Sequence, residues 1–260
     1  ATVLALEAGC DMVICCGGPQ QHDQALAALV AAVEGGRLER SRLEQSWQRL
    51  QLLRNALPPM QRCPENVHLE AHKAEMKQLV ERTITLVRNQ ENLLPLQGKQ
   101  VLLLSPDLLP LTPLGEMTRS DSVLQHLQLD GVELSEAHYP AETRGPALEH
   151  LLNQARSAEV VLFTVYARHR LPDATRELGQ ALLQANPKTI LISLSSPYVL
   201  RDLPEMPAFL CSYNYTPLSL EALGRVLTGH LQPQGRLTVS IPGLYSRGQG
   251  LNYTATPVAG

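Results

Sequence analysis

Glu159-Val160-Val161-Leu162-Phe163-Thr164-Val165-Tyr166 is a short, almost wholly apolar run that reads as a buried strand. Working outward from it, comparable runs stand at 100–105, 132–136, 189–195 and 208–213. Helical patterns separate them, at 117–129, 146–157, 173–186 and 217–229. This alternation predicts an α/β fold in which a mostly parallel sheet carries helices on both faces. A last segment, 235–242, reads as a final strand that ends at Pro242, where a ladder donor is lost.

The composition agrees with such a core. Of the 260 residues, 44% are apolar, 18% charged and only 4% aromatic, so the interior must be built from Leu, Val, Ile and Ala. A net charge of −3 provides no basic footprint for nucleic acid. No apolar run is long enough for a membrane span, which needs roughly 18 residues or more. Five cysteines, Cys10, Cys15, Cys16, Cys63 and Cys211, form no CxxC pair. They read as buried small hydrophobes in a reducing compartment, so a cytoplasmic location is expected, with secretion left open because the chain opens in mid-pattern.

Toward the N-terminus the pattern changes. Residues 1–8 read as the end of a helix, Gly9 as its stop and 10–16 as a strand. Helices are expected at 22–34 and 39–56, broken at Gly35-Gly36. The stretch 57–64 holds three prolines and cannot be helical, so 57–70 reads as a linker. A new helix is expected from about residue 68, giving way to a β-rich stretch at 83–87. The domains are therefore placed at 1–56 and 71–260. Residues 10–16 are apolar on both faces and belong between neighbouring strands; alone they expose apolar surface and backbone groups. An ordered 1–16 segment with no strand partner counts against a missing neighbour. Val13 and Ile14 paired in one sheet with Leu103 and Leu191 would overturn the division altogether.

Three phrases, in this order and spacing, resemble glycoside hydrolase family 3. The first is Ala5-Leu6-Glu7-Ala8-Gly9-Cys10-Asp11-Met12-Val13-Ile14, similar to the seventh helix and eighth strand of that family's (β/α)₈ barrel, most closely in NagZ-type β-N-acetylglucosaminidases of bacteria. The second is Thr85-Leu86-Val87-Arg88-Asn89-Gln90-Glu91-Asn92-Leu93-Leu94-Pro95-Leu96, similar to the entry into a flavodoxin-like αβα sandwich. The third joins Ser196-Pro197-Tyr198-Val199-Leu200 to Pro233-Gln234-Gly235-Arg236-Leu237-Thr238-Val239-Ser240-Ile241-Pro242, similar to the closing part of that sandwich. Thr238 stands where the family commonly has proline.

The resemblance implies a retaining glycosidase that removes terminal β-linked N-acetylglucosamine, plausibly from cell-wall fragments in peptidoglycan recycling or from chitooligosaccharides. Its nucleophilic aspartate and its histidine–aspartate proton donor would lie on barrel segments upstream of Ala1, so no catalytic residue is expected in this chain and the chain alone is expected to be inactive. A barrel takes about 250 residues, of which at most ~60 are here. The expected partners are the remaining barrel half and a carbohydrate; no cofactor or metal is implied. Relatives of the β-glucosidase branch take their acid from a glutamate in the second domain. The matching loop here, Ala167-Arg168-His169-Arg170-Leu171-Pro172-Asp173, has none, which favours the N-acetylglucosaminidase branch. A non-catalytic αβα interaction module is the alternative, and an unrelated flavodoxin-like or nucleotide-binding protein the more distant one.

The candidate substrate-binding residues are Cys16, Gly17 and Gly18, at the catalytic end of the eighth barrel strand, and Arg168 and His169, after a parallel strand where α/β sheets bind ligands. For the first group the competing reading is a core cysteine pair and a flexible turn; for the second it is a solvated loop or a contact with the barrel. Asp11 precedes the apolar run and reads as a structural group hydrogen-bonded to a neighbouring loop. His68 and His72 have zinc-helix spacing but lack a third ligand and read as an exposed face. Ser195-Ser196 lacks the G-x-S-x-G elbow.

Overall fold

The computed structural model describes residues 1–16, 18–58, 69–110, 117–119 and 125–253. It divides into two compact units, residues 1–67 with 110–117, and residues 68–109 with 118–260.

The second unit is the α/β domain. Helix α4 (Leu69–Glu81) leads to β1 (Thr85–Asn89), followed by β2 (Gln100–Pro106), β5 (Glu133–Tyr139), α5 (Pro146–Ser157), β6 (Val160–Val165), α6 (Asp173–Ala185), β7 (Thr189–Ser193), β8 (Ala208–Cys211) and α7 (Pro217–Leu227). Two further strands, β3 (Leu108–Pro110) and β4 (Met117–Arg119), pair as a separate ribbon.

The main sheet has the order β1-β8-β7-β6-β2-β5. The pairs β2/β5, β2/β6, β6/β7 and β7/β8 are parallel, whereas β1 pairs antiparallel with β8. Counting only the parallel strands in chain order, the arrangement is 2-1-3-4-5, the flavodoxin-like winding, with its switch point between β2 and β6. Val13 and Ile14 are in neither sheet.

Alternation along the strands separates two cores. Val101, Leu103, Leu162, Ile190, Ile192 and Leu210 face one side, where Leu220, Leu223 and Val226 of α7 cover them. Leu102, Leu104, Val161, Phe163, Leu191 and Phe209 face the other, against Leu151 and Leu152 of α5 and Leu178 and Leu182 of α6. Every residue of β6 is buried because both of its faces are covered.

The three family-like phrases have local structural reasons. Asn89 Oδ1 accepts the Leu94 amide at 3.1 Å and its Nδ2 donates to Leu94 O at 3.3 Å, closing the turn that carries Glu91 and Asn92 at positive φ. Arg88 Nε donates to the Tyr245 hydroxyl at 2.8 Å and Nη1 to Met206 O at 2.8 Å. Ser196 caps the short 3₁₀ turn at 197–201 by accepting from Tyr198 N. Gly235 N donates to Ile84 O at 3.0 Å and Leu251 N to Leu86 O at 2.6 Å, so the outer edge of β1 is covered. A Cβ on Gly235 would sit 2.2 Å from Thr85 Oγ1, which is why only glycine fits.

Two expectations for this unit are corrected. The helix expected at 117–129 is not formed over the described residues: Met117–Arg119 is the strand β4, and 125–126 form a turn. Met117–Arg119 pairs with Leu108–Pro110 in the ribbon, and the segment after 126 runs without helical hydrogen bonds to Leu127 and Leu129 in the core. The strand expected at 235–242 is irregular. Leu237 N bonds Gln249 O and Ile241 N bonds Tyr245 O, so its amides are spent on a local loop and not on a sheet neighbour.

The first unit is helical in its described part: α1 (Thr2–Glu7), α2 (Pro19–Glu34) and α3 (Arg40–Ala56). Its core is small, with Leu6, Ala32 and Leu38 buried. Gly9, at φ +100°, ends α1 as expected. Residues 10–16 do not form the expected strand, because no described strand lies beside them to complete a ladder. Met12 is 68% exposed and Ile14 89%. By the criterion set from sequence, an ordered unpaired segment counts against a missing neighbour; the exposed apolar side chains argue the other way.

Candidate functional site

The C-terminal ends of the parallel strands form the rim where α/β sheets present ligand-binding loops. On the β6 side of the switch point this rim is the loop 166–172. Leu171 buries its side chain, and its amide donates to Asp202 Oδ2 at 2.8 Å. Arg170 Nε reaches Asp202 Oδ1 at 3.4 Å. These bonds anchor the loop from beneath and leave Arg168 and His169 exposed on it. The structure thus places both candidate residues together at the expected end of the sheet.

Sequence reasoning missed the tyrosines beside them. Tyr166 and Tyr215 pack edge to face with ring centroids 5.4 Å apart. Burial raises the Tyr215 hydroxyl above its ordinary pKa, Tyr166 adds to the rise, and the charge of Arg168 opposes it. The signal was present in Ser212-Tyr213-Asn214-Tyr215, which directly follows the last parallel strand. Half-buried aromatic rings with an arginine and a histidine can stack on and hydrogen-bond a polyol. The loop holds no carboxylic acid to protonate a leaving group: Asp173 opens α6 paired with Arg176 at 2.9 Å, and Glu177 is exposed on that helix.

In the first unit, Cys16 and Gly18 precede α2. Gly18 is the residue before Pro19 at the helix start, with φ −82°, a conformation open to any residue, so no backbone requirement selects glycine there. Gly17 lies outside the described residues, as do Cys63 and His68. Cys10, Cys15 and Cys16 are exposed, which corrects the reading of buried cysteines; only Cys211 is buried among the described ones. The three belong to the unpaired 10–16 segment, where no described residue covers them. The Cys15 carbonyl lies 3.1 Å from His22 Nε2.

Asp11 does the structural work expected of it, though its partners are on α3 and not on a loop. It accepts from Ser46 Oγ at 2.9 Å, Arg49 Nη1 at 2.7 Å and Arg42 Nη1 at 3.3 Å. The Ser46 hydrogen bond, followed by those of the arginines, lowers its pKa. Ser193 Oγ donates to Ser196 O at 2.7 Å, so the serines after β7 stabilise a turn. His72 is exposed on α4. Among the described residues no three His, Cys, Asp or Glu side chains are grouped to hold a metal ion, and no helix is long and apolar enough to cross a membrane.

Comparison with known proteins adds to this geometry. The model of the glycosyl hydrolase family 3 C-terminal domain matches residues 84–256. A glycoside hydrolase family 3 β-N-acetylglucosaminidase from Paenibacillus sp. str. FPU-7 is similar over 90% of this chain and 46% of its own, at 26% identity and a TM-score of 0.63. A fungal multi-domain β-N-acetylglucosaminidase of the same family aligns over 95% and 29%, at 23% identity and 0.62. The β-glucosidase from Listeria innocua aligns over 93% and 37%, at 15% identity and 0.56. The last two likenesses concern the fold alone, and the chain spans less than half the length of each of the three. No curated protein matches the chain. With a family model covering well over half of the residues, including the edge strand, the whole parallel sheet and the closing loop, the chain belongs to glycosyl hydrolase family 3 and carries its C-terminal domain.

Proposed function

We propose that the complete protein is a retaining β-N-acetylglucosaminidase, to which this chain contributes the αβα domain and the final helix–strand step of a catalytic barrel. The carrying observation is the loop after β6. It follows Val165, where the β-glucosidase branch takes its acid from the second domain, and it carries Arg168, His169 and Arg170 without a glutamate. The 26% identity to the Paenibacillus β-N-acetylglucosaminidase supports the same branch. The exposure of Met12 and Ile14 supports a barrel neighbour for residues 10–16.

In this reading the catalytic groups lie on the barrel upstream: an aspartate attacks the anomeric carbon, a histidine–aspartate pair protonates the leaving oxygen, and water then releases the sugar from the glycosyl-aspartate. Cys16 and Gly18 stand near the sugar. Arg168, His169 and the Tyr166–Tyr215 pair offer stacking and hydrogen-bonding groups to a carbohydrate.

The test is turnover of a chromogenic β-N-acetylglucosaminide by the complete protein and by the 260-residue chain. Activity in the first and none in the second is expected. Turnover by the chain alone overturns the assignment. An inactive complete protein, with the barrel aspartate and histidine–aspartate pair missing from its sequence, supports the alternative of a non-catalytic interaction module.

A further inference from the structure

Away from the switch point, a cleft of about 560 Å³ opens between the end of α4, the residues after β8 and the 235–238 segment. We propose that this cleft binds a compact oxyanion, a phosphate or carboxylate group of a small ligand, through Arg82, Arg236, Tyr213 and Asn214.

The cleft gathers positively charged and neutral donor groups. Arg82 is exposed just beyond α4; its amide donates to Leu79 O at 3.2 Å, but its guanidinium makes no ion pair or hydrogen bond among the described residues. Arg236 Nη1 donates to Gly235 O and to Asn252 Oδ1, both at 3.0 Å; both acceptors are neutral, so its charge stays uncompensated. Asn214 Oδ1 is engaged by Tyr215 N at 2.7 Å and Thr216 N at 3.1 Å, which turns its amide nitrogen into the free end. The Tyr213 hydroxyl is buried beside Thr85 and Thr238, but neither meets it with good hydrogen-bond geometry. A buried polar atom without a partner carries a free-energy cost that a ligand would relieve.

Backbone strain points to the same place. Tyr213 sits at φ +58°, the left-handed region that a tyrosine rarely adopts. Such conformations persist where the surroundings impose them and cluster at binding sites. The serine hydroxyls of the cleft are already committed: Ser212 Oγ donates to Asn214 O at 2.6 Å, and Ser219 Oγ lies 3.0 Å from Thr216 Oγ1. No acidic residue lines the cleft. Two guanidinium groups, an amide and a phenol, unopposed by a carboxylate, suit an anion held by charge-assisted hydrogen bonds. An uncharged sugar would leave both positive charges unanswered.

The inference stands apart from the glycosidase reading, because its readout is binding to the chain itself. The 260-residue chain is titrated with inorganic phosphate and, separately, with acetate, while amide NMR shifts of Asn214 and Gly235 are followed; chloride at equal ionic strength is the control. At least one anion should give saturable shifts that chloride does not, and the stronger of the two identifies the preferred group. Arg82→Gln should weaken that affinity about tenfold and Tyr213→Phe by a smaller factor. Both variants leave the main sheet intact, which an unchanged amide spectrum elsewhere verifies. Loss in either variant supports the site. Shifts that never rise above the chloride control with either anion overturn it, as does wild-type affinity in both variants.

Discussion

Asp202, its side chain only 7% exposed, accepts the Leu171 amide at 2.8 Å and so holds down the loop that bears Arg168 and His169. Asp202→Ala leaves that amide without its acceptor and should cost about 1–3 kcal/mol. The checks are the thermal midpoint and the exchange rate of the Leu171 amide, which should rise sharply while amides of β7 stay protected. Gly235 has a different constraint, since it approaches β1 too closely for any side chain. Gly235→Ala would place Cβ within 2.4 Å of Thr83 O as well as against Thr85, and a loss of about 1–3 kcal/mol is expected, read as a lower urea midpoint. Cys211 is inert for a third reason: burial pushes its thiol up to about 12. A thiol reagent at neutral pH should label Cys10, Cys15 and Cys16 in the folded chain and reach Cys211 only after unfolding.

At the scale of the elements, the same ionisations set how stability responds to pH. Unfolded, Cys211 ionises near its ordinary value of 9. Below that pH both states hold the proton and the native state keeps its full advantage; between there and about 12 the unfolded state gains by ionising, and stability falls. Tyr139, buried in the core beside Phe163 with its hydroxyl donating to Thr164 O at 2.8 Å, is raised by burial and acts in the same direction, as does Tyr253. Lys99 opposes them. Burial lowers its pKa, so the unfolded chain holds that proton longer, and raising the pH through this window returns some stability. The net expectation is a urea midpoint for the sheet domain that declines above about pH 9, less steeply in Cys211→Ala.

The helical unit has the opposite liability. Glu7 is lowered by its hydrogen bond from Arg37, and Asp11 by that from Ser46. Their contribution is present above the ordinary carboxylate values and is lost as pH falls through the lowered ones. Acidification should therefore loosen α1 and α3 at a pH where the sheet is still intact, seen as early amide exchange in those helices. Asp11→Asn should abolish much of this pH dependence.

Across the whole molecule, the two units differ in what holds them together. The sheet domain has two extensive apolar layers, whereas among the described residues of the helical unit the buried apolar side chains are Leu6, Ala32 and Leu38, and Met12, Ile14, Trp47 and Leu52 are exposed. Amides of β2, β6, β7 and β8 should exchange slowest, through global unfolding, and those of α1–α3 far faster, through local opening. Equal protection in both units would contradict that division.

The sheet domain was legible because each parallel strand is a short apolar run and each crossover helix is amphipathic, patterns that are local in the chain. The segment 10–16 carries the same local pattern, yet it forms no ladder, because a strand exists only beside another strand. The helix expected at 117–129 and the strand expected at 235–242 failed for a related reason: Met117–Arg119 lies in the ribbon, and the amides of Leu237 and Ile241 are taken by the loop that follows them. The glycine at 235 could be read as a family phrase, but the Thr85 oxygen that demands it stands 150 residues earlier. From sequence alone came the α/β class, the family and the loop that lacks a glutamate, since these follow from residue type and order. Tertiary structure alone decided the winding 2-1-3-4-5, the pairing of Tyr166 with Tyr215 and the convergence of Arg82 with Tyr213, because those depend on which distant segments share a surface.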